Sequence, residues 1–265
     1  MKFTAILAIA GLASAALAAN NVTDKVTSLP SCAPLPSNWW SGFLDITPTK
    51  SLHYIFIESL DKPATDPILI WFNGGPGCSS LLGLFQENGP FVIDDGETLI
   101  KPNPYPWLRG IFGENHPSLK AIIGDGQSDY LNRADVRQAL NIPNWIPSYS
   151  QCNDAMYGTY MSYREGSVWI YPILKAYGYR LMHYSGDTDG AIPTLGTRTW
   201  IQQQGWNVTN DWRPYETEGQ VSGYIIDYDN FSFATIHGVG HMAPQWKRED
   251  VTTLILKFAH KIPIA

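Results

Sequence analysis

The stretch that most constrains this chain is Ile68-Leu69-Ile70-Trp71-Phe72-Asn73-Gly74-Gly75-Pro76-Gly77-Cys78-Ser79-Ser80. An apolar run with β character stops at three glycines and a proline. Glycines permit positive φ and close backbone approach, so a strand must end here and turn sharply. The next residues, 81–86, are apolar and helix-compatible, which puts the glycines between a strand and the start of a helix. Backbone N–H groups in such a turn suit an oxyanion or a carboxylate. Taken alone, Gly-Gly-Pro-Gly is better explained as a tight turn without chemistry, and the rest of the chain has to decide.

β-branched and aromatic residues bounded by Pro, Asp and Gly predict strands at 41–46, 53–58 and 67–72, with a turn at 62–67. A short helix is expected at 81–87, stopped by Asn88-Gly89-Pro90. Further on, the pattern predicts a strand at 119–123, a helix at 133–140 capped by Asn132, and a helix at 167–177. A strand at 180–184, a helix at 197–204 and a hairpin of 222–228 with 232–236 follow. Val251, Leu254, Ile255 and Phe258 recur at helical spacing and predict a closing helix over 248–260. Strands alternating with helices argue for an α/β fold with a mostly parallel sheet and helices on its faces.

With 265 residues, 44% of them hydrophobic, and ten tryptophans, the chain can build one large core. Its net charge of −6 leaves no basic footprint for nucleic acid. Residues 1–18 read as a secretory signal. Lys2 precedes an apolar run too short to span a bilayer, and Ala16-Leu17-Ala18 fits a small-residue cleavage site. The mature chain, 19–265, is then expected as a single domain without a membrane span. Sequons at Asn21, Asn207 and Asn230 suit a secreted route as glycosylation sites. Of Cys32, Cys78 and Cys152, an oxidising compartment leaves one thiol over, or one whose partner is lost.

Asp189 follows a predicted strand in Ser185-Gly186-Asp187-Thr188-Asp189-Gly190. His241 follows another, in His237-Gly238-Val239-Gly240-His241-Met242. An acid and then a histidine, each on a loop after a strand, is the order in which an α/β hydrolase carries its triad partners after the serine. The acid orients the imidazole and the imidazole takes the nucleophile's proton. Each residue alone reads as a turn or loop residue. Together, in these contexts, they point to catalysis.

The chain resembles the serine carboxypeptidases of the α/β-hydrolase class. The stretches that carry the resemblance are SGFLDI, HYIFIES, WFNGGPGCSS, Glu87-Asn88-Gly89-Pro90, NPYPW, YLNRADVRQAL, YSGDTDGAIPTLGTRTWI and TIHGVGHMAPQWKRED. The resemblance implies release of C-terminal residues from peptides through an acyl-enzyme, without cofactor or metal, in a secreted, lysosomal or vacuolar protein. It makes Asp189 the triad acid and His241 the base, and gives Gly75 an oxyanion-hole N–H. Asn73 and the N–H of Gly74 would hold the substrate's terminal carboxylate. Glu87 and Glu114 would share a proton beneath that carboxylate, favouring acidic working pH. Cys78 would pair with Cys152, leaving Cys32 the orphan.

One part of the family pattern is missing. The family's serine sits in Gly-Glu-Ser-Tyr-x-Gly, and no Gly-x-Ser-x-Gly occurs in this sequence. Glu114 is followed by Asn115-His116 where Ser-Tyr is expected, and Asn115 cannot form an acyl-enzyme. Against the family, internal deletions fall near 107–108, 114–118 and 127–130. They remove a central strand, the nucleophile elbow and the cap. Ser128 has half an elbow and reads as a surface turn residue, while Ser79 and Ser80 suit packing and capping of the helix after the glycines. The expectation is a carboxypeptidase lineage inactive as written. The alternatives are a non-catalytic binder of peptide C-termini, or a splice or gene-model fragment of an active enzyme.

Overall fold

A computed structural model of the chain describes residues 24–94, 99–108, 126–162 and 166–265. In chain order it holds β1 (Lys25–Val26), β2 (Trp39–Thr47), β3 (Lys50–Ile57), α1 (Leu81–Gln86), β4 (Phe91–Val92) and β5 (Lys101–Pro102). Four helices come next, α2 (Gly126–Leu131), α3 (Ala134–Ala139), α4 (Asp154–Thr159) and α5 (Ile170–Ala176). The last part is β6 (Leu181–Gly186), α6 (Thr194–Gln203), β7 (Val208–Thr217), β8 (Gln220–Tyr228), β9 (Phe231–Ile236), α7 (Ala243–Trp246) and α8 (Arg248–Ala259). These residues form two compact units: the described part of Met1–Glu58 with Arg133–Pro147, and the described parts of Ser59–Asn132 and Ser148–Ala265.

The first unit is an antiparallel sheet in the order β1-β2-β3 with α3 beside it. Its buried centre is Val26, Leu29, Trp39, Val136 and Leu140. Ser41 on β2 donates to the carbonyl of Leu140 at 2.6 Å, and Asn141 Nδ2 donates to the carbonyl of Ser41 at 2.8 Å, which ties the end of α3 to the strand. His53 lies 2.9 Å from Ser41 Oγ, and burial pushes its imidazole down to about 4. The expected cap of α3 is not Asn132. Arg133 occupies that position, because the Asn132 amide donates instead to the carbonyls of Ser128 and Tyr149.

The second unit is built on a four-stranded sheet in the order β6-β9-β8-β7. Among the described residues only β6 and β9 run parallel, and the other pairs are antiparallel. Adjacent residues of a strand face opposite sides. Ile225, Ala234 and Ile236 therefore meet Val251 and Leu254 of α8 on one face. Ile226, Phe231 and Phe233 meet Ile201 of α6 and Tyr171 of α5 on the other. The sheet thus carries helices on both faces. The helical spacing of Val251 and Leu254 ends with both fully buried, each contributing about 1.5–3 kcal/mol relative to exposure.

Two expectations change. Residues 67–72 are not in a strand, and Ile68, Leu69, Ile70 and Phe72 are 42–66% exposed. Apolar β-branched residues make a strand only where a ladder is available, and β propensity is context before it is backbone preference. β7 is an added strand. Asn210, Asp211 and Pro214 disguise it, and they are tolerated because it is a sheet edge with three register shifts against β8. The expected strand at 119–123 lies outside the described residues.

Candidate active site

All the candidate groups described here belong to the second unit. β6 and β9 end in register, with Gly186 opposite Ile236, so the loops that follow them start side by side. Gly186 is required for this. A Cβ there would land on the carbonyl oxygens of Val239 and Gly240. The juxtaposition brings His241 Nδ1 to 3.0 Å from Asp189 Oδ2. The other oxygen, Asp189 Oδ1, accepts the N–H groups of Ala191 at 2.8 Å and Ile192 at 2.9 Å. The Asp189 side chain is 6% exposed and that of His241 58%. Burial works against the Asp189 carboxylate. The Ile192 N–H, His241 and the Ala191 N–H outweigh it and hold the carboxyl below the usual carboxylate range. Two residues fifty-two positions apart thus form a hydrogen-bonded acid–imidazole pair with the ring exposed.

The glycine turn is built as its composition requires. Gly75 has φ +127° and Gly77 φ +85°, and a Cβ on Gly75 would stand 2.9 Å from the nitrogens of Gly77 and Cys78. Among the described residues, the N–H groups of Gly74 and Gly75 donate to no partner. The Asn73 amide is fixed in one orientation. Its Oδ1 accepts Trp71 Nε1 at 2.8 Å and the Gly83 N–H at 3.1 Å, which turns Nδ2 toward Glu87 Oε1 at 3.4 Å. Gly83 lets α1 approach this closely, since a Cβ would stand on Trp71 Nε1.

Glu87 is 4% exposed. Burial raises its carboxyl above the usual range, against the opposing pull of Asn73 and the charges of His241 and Arg248. Glu87 in turn adds to the burial that raises the Tyr184 phenol. Glu87 borders the glycine turn through Asn73, and the charge of His241 is felt at its carboxyl.

Cys78 and Cys152 form a disulfide, and Cys32 is free. The bond seats the glycine turn on 151–153, where Ser79 N–H donates to Gln151 O and Asn153 N–H to Gly77 O. Ser80 is the N-cap of α1 but makes no cap hydrogen bond. Its Oγ accepts the Asn73 N–H at 3.1 Å, while Ser79 Oγ accepts the Leu81 N–H at 3.3 Å. Ser128 is a half-buried residue of α2 and not a turn residue, because α2 starts at Gly126. Asn207 and Asn230 are exposed, as glycan acceptors must be. Asn21, the signal at 1–18, Glu114 and Asn115 lie outside the described residues. Among those described, no group of three His, Cys, Asp or Glu could hold a metal, and no helix is long and apolar enough to cross a membrane.

Sequence reading missed a second acid–imidazole pair beside the first. His237 Nδ1 lies 2.9 Å from Asp187 Oδ2, two residues before Asp189 and four before His241. The repeated Asp-x-Asp and His-x-x-x-His spacing carried that signal.

The comparisons agree with this architecture. The family model for serine carboxypeptidase matches residues 30–110 and 116–261. The lysosomal protective protein of Mus musculus is 45% identical over 85 residues, 32% of this chain and 18% of that protein. Serine carboxypeptidase-like 32 of Arabidopsis thaliana is 34% identical over 145 residues, 53% of this chain and 31% of that protein. The alignments thus span less than a third of these relatives. In fold, the chain is similar to the crystal structure of Kex1(delta)p, a prohormone-processing carboxypeptidase from Saccharomyces cerevisiae. The TM-score is 0.67 and the identity 12%, covering 89% of this chain and 93% of that one. With the family matched across most of its length, on an α/β-hydrolase fold, this chain belongs to the serine carboxypeptidase family.

Proposed function

We propose that this chain recognises peptide C-termini at the glycine turn and retains the acid–base half of a serine carboxypeptidase site, without the nucleophile that half would activate. The observation that carries the proposal is the His241–Asp189 pair. Its ring is exposed and correctly bonded to its acid, yet among the described residues no serine hydroxyl is hydrogen-bonded to it. The sequence offers no Gly-x-Ser-x-Gly either. An imidazole held by an acid is a base waiting for a proton donor, and without one no acyl-enzyme forms.

The binding half is better provided. The N–H groups of Gly74 and Gly75, which donate to no partner among the described residues, and the fixed Asn73 amide are donors suited to a terminal carboxylate, and Glu87, protonated, would add an O–H. In this reading Asp189 is the triad acid, His241 the base, Gly75 an oxyanion donor, and Asn73, Gly74, Glu87 and Glu114 the carboxylate corner. The disulfide suits an oxidising route, secreted or lysosomal.

The test is labelling with a fluorophosphonate probe at pH 5 and pH 7, beside release of the C-terminal residue from a blocked dipeptide. No labelling and no release are expected, with measurable binding of the dipeptide that Asn73→Ala weakens. Stoichiometric labelling at Ser128, with activity lost in Ser128→Ala, would replace this reading with that of an active enzyme.

A further inference from the structure

We propose that Asp187 and His237 are positioning residues whose pairing holds the His241 loop against the Asp189 loop. Beyond the last register pair, Gly186 with Ile236, the two loops stay joined by a continuous set of bonds. Asp187 N–H donates to the Ile236 carbonyl at 2.9 Å, and Thr188 N–H to the Val239 carbonyl at 3.1 Å. Asp187 Oδ1 accepts the Gly238 N–H at 2.7 Å and Oδ2 faces His237 Nδ1 at 2.9 Å. One carboxylate therefore grips both the side chain of His237 and the backbone of the next residue. Gly238 has φ +70°, so the chain turns at that grip, three residues before His241.

The grip matters because His241 has little else. Its ring is 58% exposed, and its hydrogen-bond partner among the described residues is Asp189. The Asp189 carboxylate is fixed by two backbone N–H groups of its own loop. The 3.0 Å bond between His241 and Asp189 then depends on the distance between two loops. The strand register and two backbone bonds bring the loops together, and the Asp187 side chain adds a hold from one loop to the other. His237 is itself 70% exposed and packs into no core, so its pairing with Asp187 serves the loop and not the sheet.

The inference rests on the His241–Asp189 geometry and not on whether the chain is active, so the test reads the bond directly. In full-length, nitrogen-15-labelled protein, the His241 Nδ1–H resonance and its exchange with water are followed by NMR. In His237→Ala and Asp187→Ala the exchange is expected to rise about two- to fivefold, the equivalent of one solvent-screened pair. His237→Asn, whose Nδ2 can stand where the ring Nδ1 does, should restore much of the protection. A purely structural role would lower the melting temperature and leave the His241 proton unmoved. If Asp187→Ala does not fold, His237→Ala still decides, because its side chain is mostly in solvent. Unchanged His241 exchange in folded His237→Ala overturns the clamp alone. Absence of the His241 Nδ1–H signal in the unsubstituted chain overturns the clamp and the acid–base reading together.

Discussion

Replacing Asp189 with asparagine separates charge from shape at the site. Asp189→Asn keeps one oxygen for the Ala191 and Ile192 N–H groups and sets an NH₂ against His241 Nδ1. The bond to His241 reverses, the amide now donating to Nδ1, and it loses its charge assistance, which in a shielded pair is part of about 1.5–3 kcal/mol. The ring of His241 is more than half in solvent, and exposure on one side screens the pair. Weakening of the two backbone bonds offsets that discount, which leaves about 2 kcal/mol. At a slope of roughly 3 kcal/mol per molar urea, the unfolding midpoint falls by roughly 0.7 M. The pH dependence is the sharper part. The folded carboxyl of Asp189 lies below its unfolded value, so the stability it contributes is present above the unfolded value, about 3.9. That stability is lost as pH falls through the folded value. The gap between the two proteins should therefore be full at pH 7 and close toward the lowest pH at which the chain stays folded. A midpoint difference that does not change with pH would refute the assignment of charge to Asp189.

Glu87 has the opposite sign. Burial raises its folded value, so stability is greatest below the unfolded value, about 4.3, and falls as pH rises through the folded one. Melting curves of Glu87→Gln should be flat across that window where the parent declines. Cys152→Ala removes a bridge between residues 74 apart, and loss of about 4 kcal/mol is expected by urea denaturation. In the intact chain Cys32 should alkylate slowly at pH 7, because burial pushes its thiol up to about 11, and mass mapping of the single adduct checks this. Ile70→Lys, at a position 59% exposed, should raise the concentration at which light scattering detects aggregates while changing stability by no more than about 0.5 kcal/mol.

How much of this was legible in the sequence depends on what each residue needed. α8 could be read because its stripe of Val251 and Leu254 packs on one face of the sheet. The hairpin of β8 and β9 could be read because its two residues between strands, Asp229 and Asn230, suit a turn, and Asn230 takes φ +56°. The run at 67–72 has stronger β character than either, yet is no strand. Periodicity reports what a segment can do in a ladder and not whether a ladder is present. β7 is the converse, with polar residues and Pro214 accepted because, among the described residues, one edge of it pairs with no strand.

The site divides along the same line. Asp189 and His241 could be singled out because each follows a strand in a glycine-bounded loop, whereas Asn73, Gly75 and Glu87 were singled out through the family resemblance. The steric demands at Gly75, Gly83 and Gly186 confirm that those turns admit few substitutes. Asp187 and His237 went unread although their spacing repeats that of Asp189 and His241, because nothing local requires an acid or an imidazole at either position. Their pairing exists only because β6 and β9 run parallel and end in register. A motif read along the chain gives the ends of two strands separately. The parallel register sets the distance between those ends, and that distance determines whether a histidine meets its acid. For the same reason, a substitution that shifts the β6–β9 register by one residue should abolish the His241–Asp189 bond without touching either residue.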